Sequence, residues 1–329
     1  MKRILVVSHS FFEDDLVGRI RSRAADFGFT PLVFDSRIPG DSERAAEAVR
    51  DAEILFAFSP KLLRACGKNL KWFACMSAGV DLFTKDPDLF PNPDVIMTNS
   101  NVYGPTIAEH VIMVLLMMMR KMPAYQKAVE SGEWTRNLPI ESIAGSSFLV
   151  LGTGNLGTNI AERLRGMNAG RIVGVNRTGT FRGDPQLFEA VKPADELDTL
   201  LPNAKAVILA IPDTEGTNGI LSRERIALLP NGAYVVNVGR GTLIDQEALI
   251  DALNAEKLAG AALDVMLPEP LPSDSPLRSA KNILLTPHVS GDTSLRYTRE
   301  ALCDRFLAEL ERYANGLSLR GFVDRKKGY

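Results

Sequence analysis

Cysteine, histidine and tryptophan are scarce in this 329-residue chain, which holds three, three and two of them. The cysteines Cys66, Cys75 and Cys303 are odd in number and not spaced as ligand pairs. That argues against a disulfide framework or a zinc site and for a reduced, cytoplasmic setting. His9, His110 and His288 lie far apart, so no metal is expected. An excess of one charge is also missing. The 38 Lys and Arg against 40 Asp and Glu leave a net charge of −2, and nucleic acid is not an expected partner. Long apolar runs are absent as well. Met1-Lys2-Arg3-Ile4-Leu5-Val6-Val7 is basic and then apolar, but the run is too short for a secretion leader and Glu13, Asp14 and Asp15 follow at once, so it reads as a first strand. The stretch 107–119 contains Glu109 and His110 and is too short to span a bilayer. It fits a buried or interface helix, with Met117-Met118-Met119 as packing or subunit contact, and no membrane partner is expected.

What is present is ordinary globular composition, 45% hydrophobic and 24% charged, in a chain longer than one core usually organises. Before residue 100, short apolar runs at 4–7, 31–34, 54–58, 72–76 and 95–98 alternate with amphipathic stretches at 13–27 and 42–50. In the second half, strands are expected at 148–151, 172–175, 207–210, 233–238, 260–264 and 283–286. This alternation predicts an α/β fold of two Rossmann-like or flavodoxin-like parallel-sheet domains. The six later strands fill a dinucleotide-binding sheet, so the helix at 301–313 and the tail are assigned to the first domain. That makes the first domain discontinuous: residues 1–102 plus 291–329 form a substrate-binding domain and 103–290 an NAD(P)-binding domain. Crossings near Tyr103 and Ser290 would form a hinge beside an active cleft.

The apolar run Phe148-Leu149-Val150-Leu151 leads directly into Gly152-Thr153-Gly154-Asn155-Leu156-Gly157 and then a helical pattern. In G-x-G-x-x-G turns Gly152 allows the bend, Gly154 lets backbone approach a pyrophosphate, and Gly157 lets helix pack on strand. An NAD site places Asp or Glu about 20 residues later, on the ribose 2′-hydroxyl. Here the second strand closes on Asn176, followed by Arg177 and Thr178. No carboxylate repels a 2′-phosphate, and a cation and a hydroxyl stand ready to hold one, so NADP is favoured with NAD an alternative. The plainer reading keeps Arg177 as a solvated loop charge.

Three loops after later strands carry the candidate chemistry: Arg240 in Asn237-Val238-Gly239-Arg240-Gly241, Glu269 in the segment 264–270, and His288 in Thr286-Pro287-His288-Val289-Ser290-Gly291. Ligands of open α/β sheets bind at strand C-termini. Reduction of a 2-oxo acid needs a hydride, a proton for the developing alkoxide and a cation on the carboxylate and carbonyl. His288 can donate the proton, Glu269 beside it would favour the imidazolium, and the planar fork of Arg240 suits the carboxylate. Individually each residue could be a surface charge or a satisfied loop side chain.

The order GTGNLG, NVGRG, LDVMLPEPLP and TPHVSG resembles the D-isomer-specific 2-hydroxyacid dehydrogenase family over nearly the whole chain. The resemblance implies that Arg240, Glu269 and His288 are the catalytic set and that Ser77, Ala78 and Gly79 hold the substrate, with backbone N–H groups on its carboxylate. It implies cofactor contacts at Thr106, Asp264 (near the nicotinamide amide), Ile211, Pro212, Thr217, Val238, Gly239, Ser290 and Gly291, besides the glycine turn with Asn155 and Leu156, and the Asn176, Arg177 and Thr178 loop. EPLP and Asn176-Arg177 look most like the NADP-linked glyoxylate/hydroxypyruvate reductase branch, with a small 2-oxo or 2-hydroxy acid as substrate and a homodimer as the assembly. Glu109 and His110 are expected to be structural, setting hinge or dimer contacts, and His9 to be a cap or surface residue. The alternatives are an NAD(P)-sensing, corepressor-like binding protein on the same fold, or a methyltransferase sharing only the glycine turn.

Overall fold

Four-residue runs such as Ile54–Ala57 and Phe148–Leu151 are buried at every position, as strands covered by helices on both faces must be. The computed structural model describes residues 3–328. In chain order the elements are β1 (Arg3–His9), α1 (Asp14–Asp26), β2 (Phe29–Asp35), α2 (Asp41–Ala48), β3 (Ile54–Ala57), α3 (Pro60–Ala65), β4 (Trp72–Cys75), α4 (Asp81–Thr84) and β5 (Ile96–Thr98). Then come α5 (Gly104–Met119), α6 (Met122–Glu130), β6 (Phe148–Leu151), α7 (Asn155–Gly166), β7 (Ile172–Asn176), β8 (Ala190–Pro193), α8 (Leu197–Leu200), β9 (Ala206–Leu209) and α9 (Arg223–Leu228). β10 (Ala233–Asn237), α10 (Gln246–Asn254), β11 (Leu258–Leu263), β12 (Ile283–Leu285) and α11 (Arg296–Ala314) complete them. The chain divides into two units, one taking residues up to Tyr103 and from Asp292 onward, the other Gly104–Gly291.

The first unit is built on a parallel sheet of order β2-β1-β3-β4-β5. α1 buries Leu16, Val17, Ile20 and Ala24 and opens on Asp14 and Asp15, charges that suit a helix N-terminus. α11 joins the same core through Leu302, Cys303, Phe306 and Leu310. The Phe306 ring stacks on Phe56 at 3.9 Å and lies 5.7 Å from Trp72, whose indole N–H donates to Thr98 Oγ1 at 2.9 Å. The tail then lies antiparallel to β5, with a bridge from Thr98 to Phe322 and a bond from Val323 N to Met97 O, covering an edge that would otherwise offer unpaired backbone.

The second unit is a seven-stranded parallel sheet of order β12-β11-β10-β9-β6-β7-β8. β6 and β9 are neighbours and the chain winds outward from them in both directions, which is the doubly wound dinucleotide arrangement with its reversal of strand order between β6 and β9. Sequence periodicity predicts six strands; the seventh, β8, is Ala-Val-Lys-Pro, with all four residues only partly buried. An outer strand needs no continuous apolar run and tolerates a proline that cannot donate, so β8 leaves no hydrophobic signal. α5 buries Val111, Leu115 and Met119 with Ile160 and Leu164 of α7.

Among the described residues no helix is long and apolar enough to cross a membrane, and no group of three His, Cys, Asp or Glu could hold a metal ion. The three cysteines are separate and buried. Burial pushes the Cys66 and Cys75 thiols up to about 12 and that of Cys303 to about 11, far from a reactive thiolate.

Candidate active site

The glycine turn is held by two close approaches and leaves one position open. At Gly152, φ is +103°, and a Cβ would stand 2.4 Å from the Ala210 carbonyl oxygen. At Gly157 a Cβ would stand 1.8 Å from the carbonyl oxygen of Gly152, so α7 can approach β6 only without a side chain there. Gly154 differs, because its φ of −79° suits any residue and an added Cβ would meet nothing within 4 Å. Nothing inside the chain requires glycine there. Gly154 is also the N-cap of α7 and no side chain caps that end, so the first-turn N–H groups, with Asn155 and Leu156 at the start of the helix, face outward at the positive end of its dipole. This open cradle fits a pyrophosphate.

At the end of β7 the Asn176 amide builds a turn. Its Nδ2 donates to Thr153 Oγ1 and Thr180 O, each at 2.7 Å, and its Oδ1 accepts from the N–H groups of Thr178 and Gly179. Asn176 thus ties the second loop to the glycine turn and presents Arg177 and Thr178 at an exposed corner. Past β9, the Thr217 hydroxyl donates to Pro212 O at 2.7 Å and accepts from Thr214 N, shaping the loop that begins at Ile211. Thr106 is buried on α5.

β10, β11 and β12 are adjacent in the sheet, so their C-terminal loops are neighbours, and those loops carry Arg240, Glu269 and His288. Asn237, almost fully buried, holds the first loop: its Oδ1 accepts from Gly239 N and its Nδ2 donates to Arg240 O at 2.8 Å. Val238 N donates to Leu209 O, tying the loop to β9. A Cβ on Gly241 would stand 2.4 Å from the backbone of Met266, so the Arg240 loop lies directly against the one leading to Glu269. Glu269 Oε1 accepts from Met266 N at 2.9 Å, and its Oε2 lies 2.8 Å from His288 Nδ1. The His288 side chain is half exposed. Its backbone is left-handed, with φ +55°.

Asp264, 2% exposed, organises the His288 turn. Its Oδ1 accepts from Thr286 Oγ1 at 2.6 Å and Val289 N at 2.9 Å, and its Oδ2 from Ser290 N at 3.0 Å. Its carbonyl accepts from His288 N. Burial works to raise its pKa, but bonds from the Ser290 and Thr286 hydroxyls and the two backbone N–H groups outweigh that and hold it below the usual carboxylate value. Ser290 itself is buried, and Gly291 closes the unit. His110 Nε2 lies 3.4 Å from Thr286 Oγ1, and Glu109 pairs with Arg163 of α7 at 3.6 Å. Both contacts fit the structural role expected of this pair. Sequence reading missed Asn237 and Thr286, for which neither periodicity nor motif spacing offers a signal.

In the first unit, Ser77, Ala78 and Gly79 follow β4. Ser77 Oγ accepts from Gly79 N at 3.1 Å, Ser77 O from Ser100 N, and Ala78 O from Asn99 Nδ2 at 3.0 Å. His9 is a buried cap at the end of β1, its Nδ1 accepting from Phe11 N and Phe12 N. Burial lowers its pKa.

The family model described as "D-isomer specific 2-hydroxyacid dehydrogenase, NAD binding domain" matches residues 112–290. The chain is 31% identical over 295 residues to glyoxylate/hydroxypyruvate reductase B of Escherichia fergusonii, covering 86% of this chain and 89% of that one. Among solved structures it is similar to a D-isomer specific 2-hydroxyacid dehydrogenase family protein from Aeromonas salmonicida, with a TM-score of 0.82, 29% identity and 99% and 100% of the two chains covered. It also matches an NADPH-dependent glyoxylate/hydroxypyruvate reductase from Sinorhizobium meliloti in complex with NADP and sulfate, with a TM-score of 0.80, 25% identity and both chains fully covered.

Proposed function

The chain belongs to the D-isomer specific 2-hydroxyacid dehydrogenase family and is an NAD(P)-dependent oxidoreductase acting on CH–OH donors, and within that class we propose that it reduces a small 2-oxo acid of the glyoxylate or hydroxypyruvate type with NADPH. The observation that carries the reading is the 2.8 Å pairing of His288 Nδ1 with Glu269 Oε2, on a loop next to the one bearing Arg240.

When bound, the nicotinamide supplies the hydride. His288 gives the proton. With Nδ1 committed to Glu269, Nε2 is the nitrogen that transfers it, and the Glu269 carboxylate holds the ring in that orientation. Arg240 orients the substrate carboxylate and polarises the carbonyl oxygen as charge develops on it. The Ser77, Ala78 and Gly79 loop is assigned to that carboxylate, through the backbone N–H groups of Ser77 and Ala78, the Gly79 N–H being held by Ser77 Oγ. The cofactor's pyrophosphate belongs to the Gly152, Gly154 and Gly157 turn, and its 2′-phosphate to Arg177 and Thr178, whose presentation by Asn176 supports NADP. The NADP held by the Sinorhizobium meliloti protein points the same way.

A homodimer is part of the reading. Met113, Met122, Val129, Trp134 and Ile140 are large apolar residues exposed within one segment of the second unit, Trp134 at 80%, and such a surface suits a second copy. A cytoplasmic setting accords with three separate buried thiols. Steady-state kinetics with glyoxylate, hydroxypyruvate, pyruvate, phenylpyruvate and branched 2-oxo acids, each with NADPH and NADH, tests the assignment. The highest kcat/KM is expected for glyoxylate or hydroxypyruvate with NADPH. A best substrate that is aromatic or branched, or a preference for NADH, would overturn it.

A further inference from the structure

We propose that Thr286 and His110 are positioning residues for His288: the Thr286 hydroxyl, held between the Asp264 carboxylate and the His110 ring, sets the turn from which the imidazole projects. The inference rests on the reading of His288 as the proton donor.

Thr286 stands two residues before His288, and donor and acceptor accounting fixes the direction of its bonds. The Asp264 carboxylate can only accept, so the single hydroxyl proton of Thr286 goes to Oδ1, 2.6 Å away. Its oxygen is then left to accept, and the ring nitrogen facing it at 3.4 Å, His110 Nε2, must carry a proton. The chain therefore runs from His110 through Thr286 to Asp264. The same Asp264 takes the N–H groups of His288, Val289 and Ser290 on its carbonyl and carboxylate oxygens. Both flanks of His288 are thus tied to one buried residue.

The turn needs such holds. A φ of +55° at His288 lies in the left-handed region that residues with a side chain disfavour, so the backbone keeps it only while the surroundings over-determine it. Without the Thr286 anchor the turn can relax toward negative φ, and the imidazole swings away from Glu269 Oε2. His110 contributes from α5, 176 residues earlier in the chain. Its ring, partly buried on α5 and facing Thr286, supplies a donor that a purely apolar packing residue would lack.

Four variants separate positioning from space filling: T286V keeps the shape and removes the hydroxyl, T286S keeps the hydroxyl, H110L removes the ring donor, and H110Q keeps an N–H. Three quantities are read: kcat at saturating NADPH with glyoxylate, NADPH affinity by fluorescence titration, and, without cofactor, the rate of His288 acylation by diethyl pyrocarbonate followed by mass spectrometry. T286V should lower kcat by about tenfold or more and leave NADPH affinity within about twofold. It should also speed acylation, because Nδ1 loses its carboxylate partner. T286S and H110Q should stay near wild type, H110L should fall between, and the double variant T286V/H110L should be no worse than T286V alone. T286V acting like T286S, a double variant with fully additive losses, or unchanged acylation of His288 in T286V would overturn the proposal. A wild-type chain that reduces no 2-oxo acid, while T286V still changes His288 acylation, would refute the functional reading and leave the positioning intact.

Discussion

Alanine at Gly154 and at Gly157 should produce opposite failures. The methyl of G157A would stand 1.8 Å from the Gly152 carbonyl oxygen and 3.3 Å from Val150 Cγ1. Its nearest neighbour is backbone, which cannot rotate aside, so α7 must move off β6 by more than 1 Å, on the order of the gap to ordinary contact. Overpacking of this kind costs about 1 to 3 kcal/mol, and a backbone neighbour puts it at the upper end. Helix propensity returns about 0.5 to 1 kcal/mol, which is too little. For a unit of this size the net loss of about 2 kcal/mol lowers Tm by roughly 4 to 8 °C. G154A has no such cost: its Cβ meets nothing, its φ is ordinary, and the poorer N-cap, about 1 kcal/mol at most, is offset by the entropy taken from the unfolded chain. The methyl instead occupies the approach to the pyrophosphate, and NADPH affinity should fall by about two orders of magnitude, near 2.7 kcal/mol. Thermal unfolding without cofactor and fluorescence titration with NADPH read the two effects separately. A G154A protein that binds NADPH as tightly as wild type would refute the cradle, and a G157A protein with unchanged Tm would refute the packing argument.

R177A should raise the KM for NADPH about 10- to 150-fold more than that for NADH, the loss of one charge-assisted bond to a phosphate; equal effects on both cofactors would remove Arg177 from the selectivity reading. H288A should cut kcat by about 100- to 10,000-fold with NADPH affinity near normal, and E269Q should lose less, because its amide oxygen can still accept from His288 Nδ1. An E269Q enzyme as damaged as H288A, or one unaffected, would break the dyad. Burial lowers the pKa of His9, so the unfolded chain binds more protons there: stability is complete above the unfolded value near 6.5 and declines as pH falls below it. H9N, which can still accept the Phe11 and Phe12 N–H bonds, should flatten that decline in chemical denaturation between pH 7 and 5, and an unchanged slope would count against it. Sedimentation at micromolar concentration should show a dimer, and W134A should weaken it; a stable wild-type monomer would end that part of the reading.

Much of this was legible in the chain itself wherever meaning is local. Consecutive apolar residues announce β3 and β6, and G-x-G-x-x-G announces its own turn, because strand burial and tight bends depend on residues adjacent in sequence. β8 escaped because an outer strand needs no apolar signature, and Asn237 because its bonds go to backbone that any residue would supply. Arg240, Glu269 and His288 could be named from their loops, since loops after parallel strands share one edge.

Sequence alone thus determined the α/β class, the dinucleotide turn, the missing carboxylate at Asn176 and the identity of the three candidate side chains. Only tertiary structure decided that Asn176 spends its amide on its own turn and on Thr153, that Glu269 meets the Nδ1 of His288, and that His110, expected to be structural, reaches Thr286. The reason is range: periodicity and turn chemistry act over a few residues, whereas the contact between residues 110 and 286 exists only after α5 has packed on the sheet and β12 has found its register beside β11.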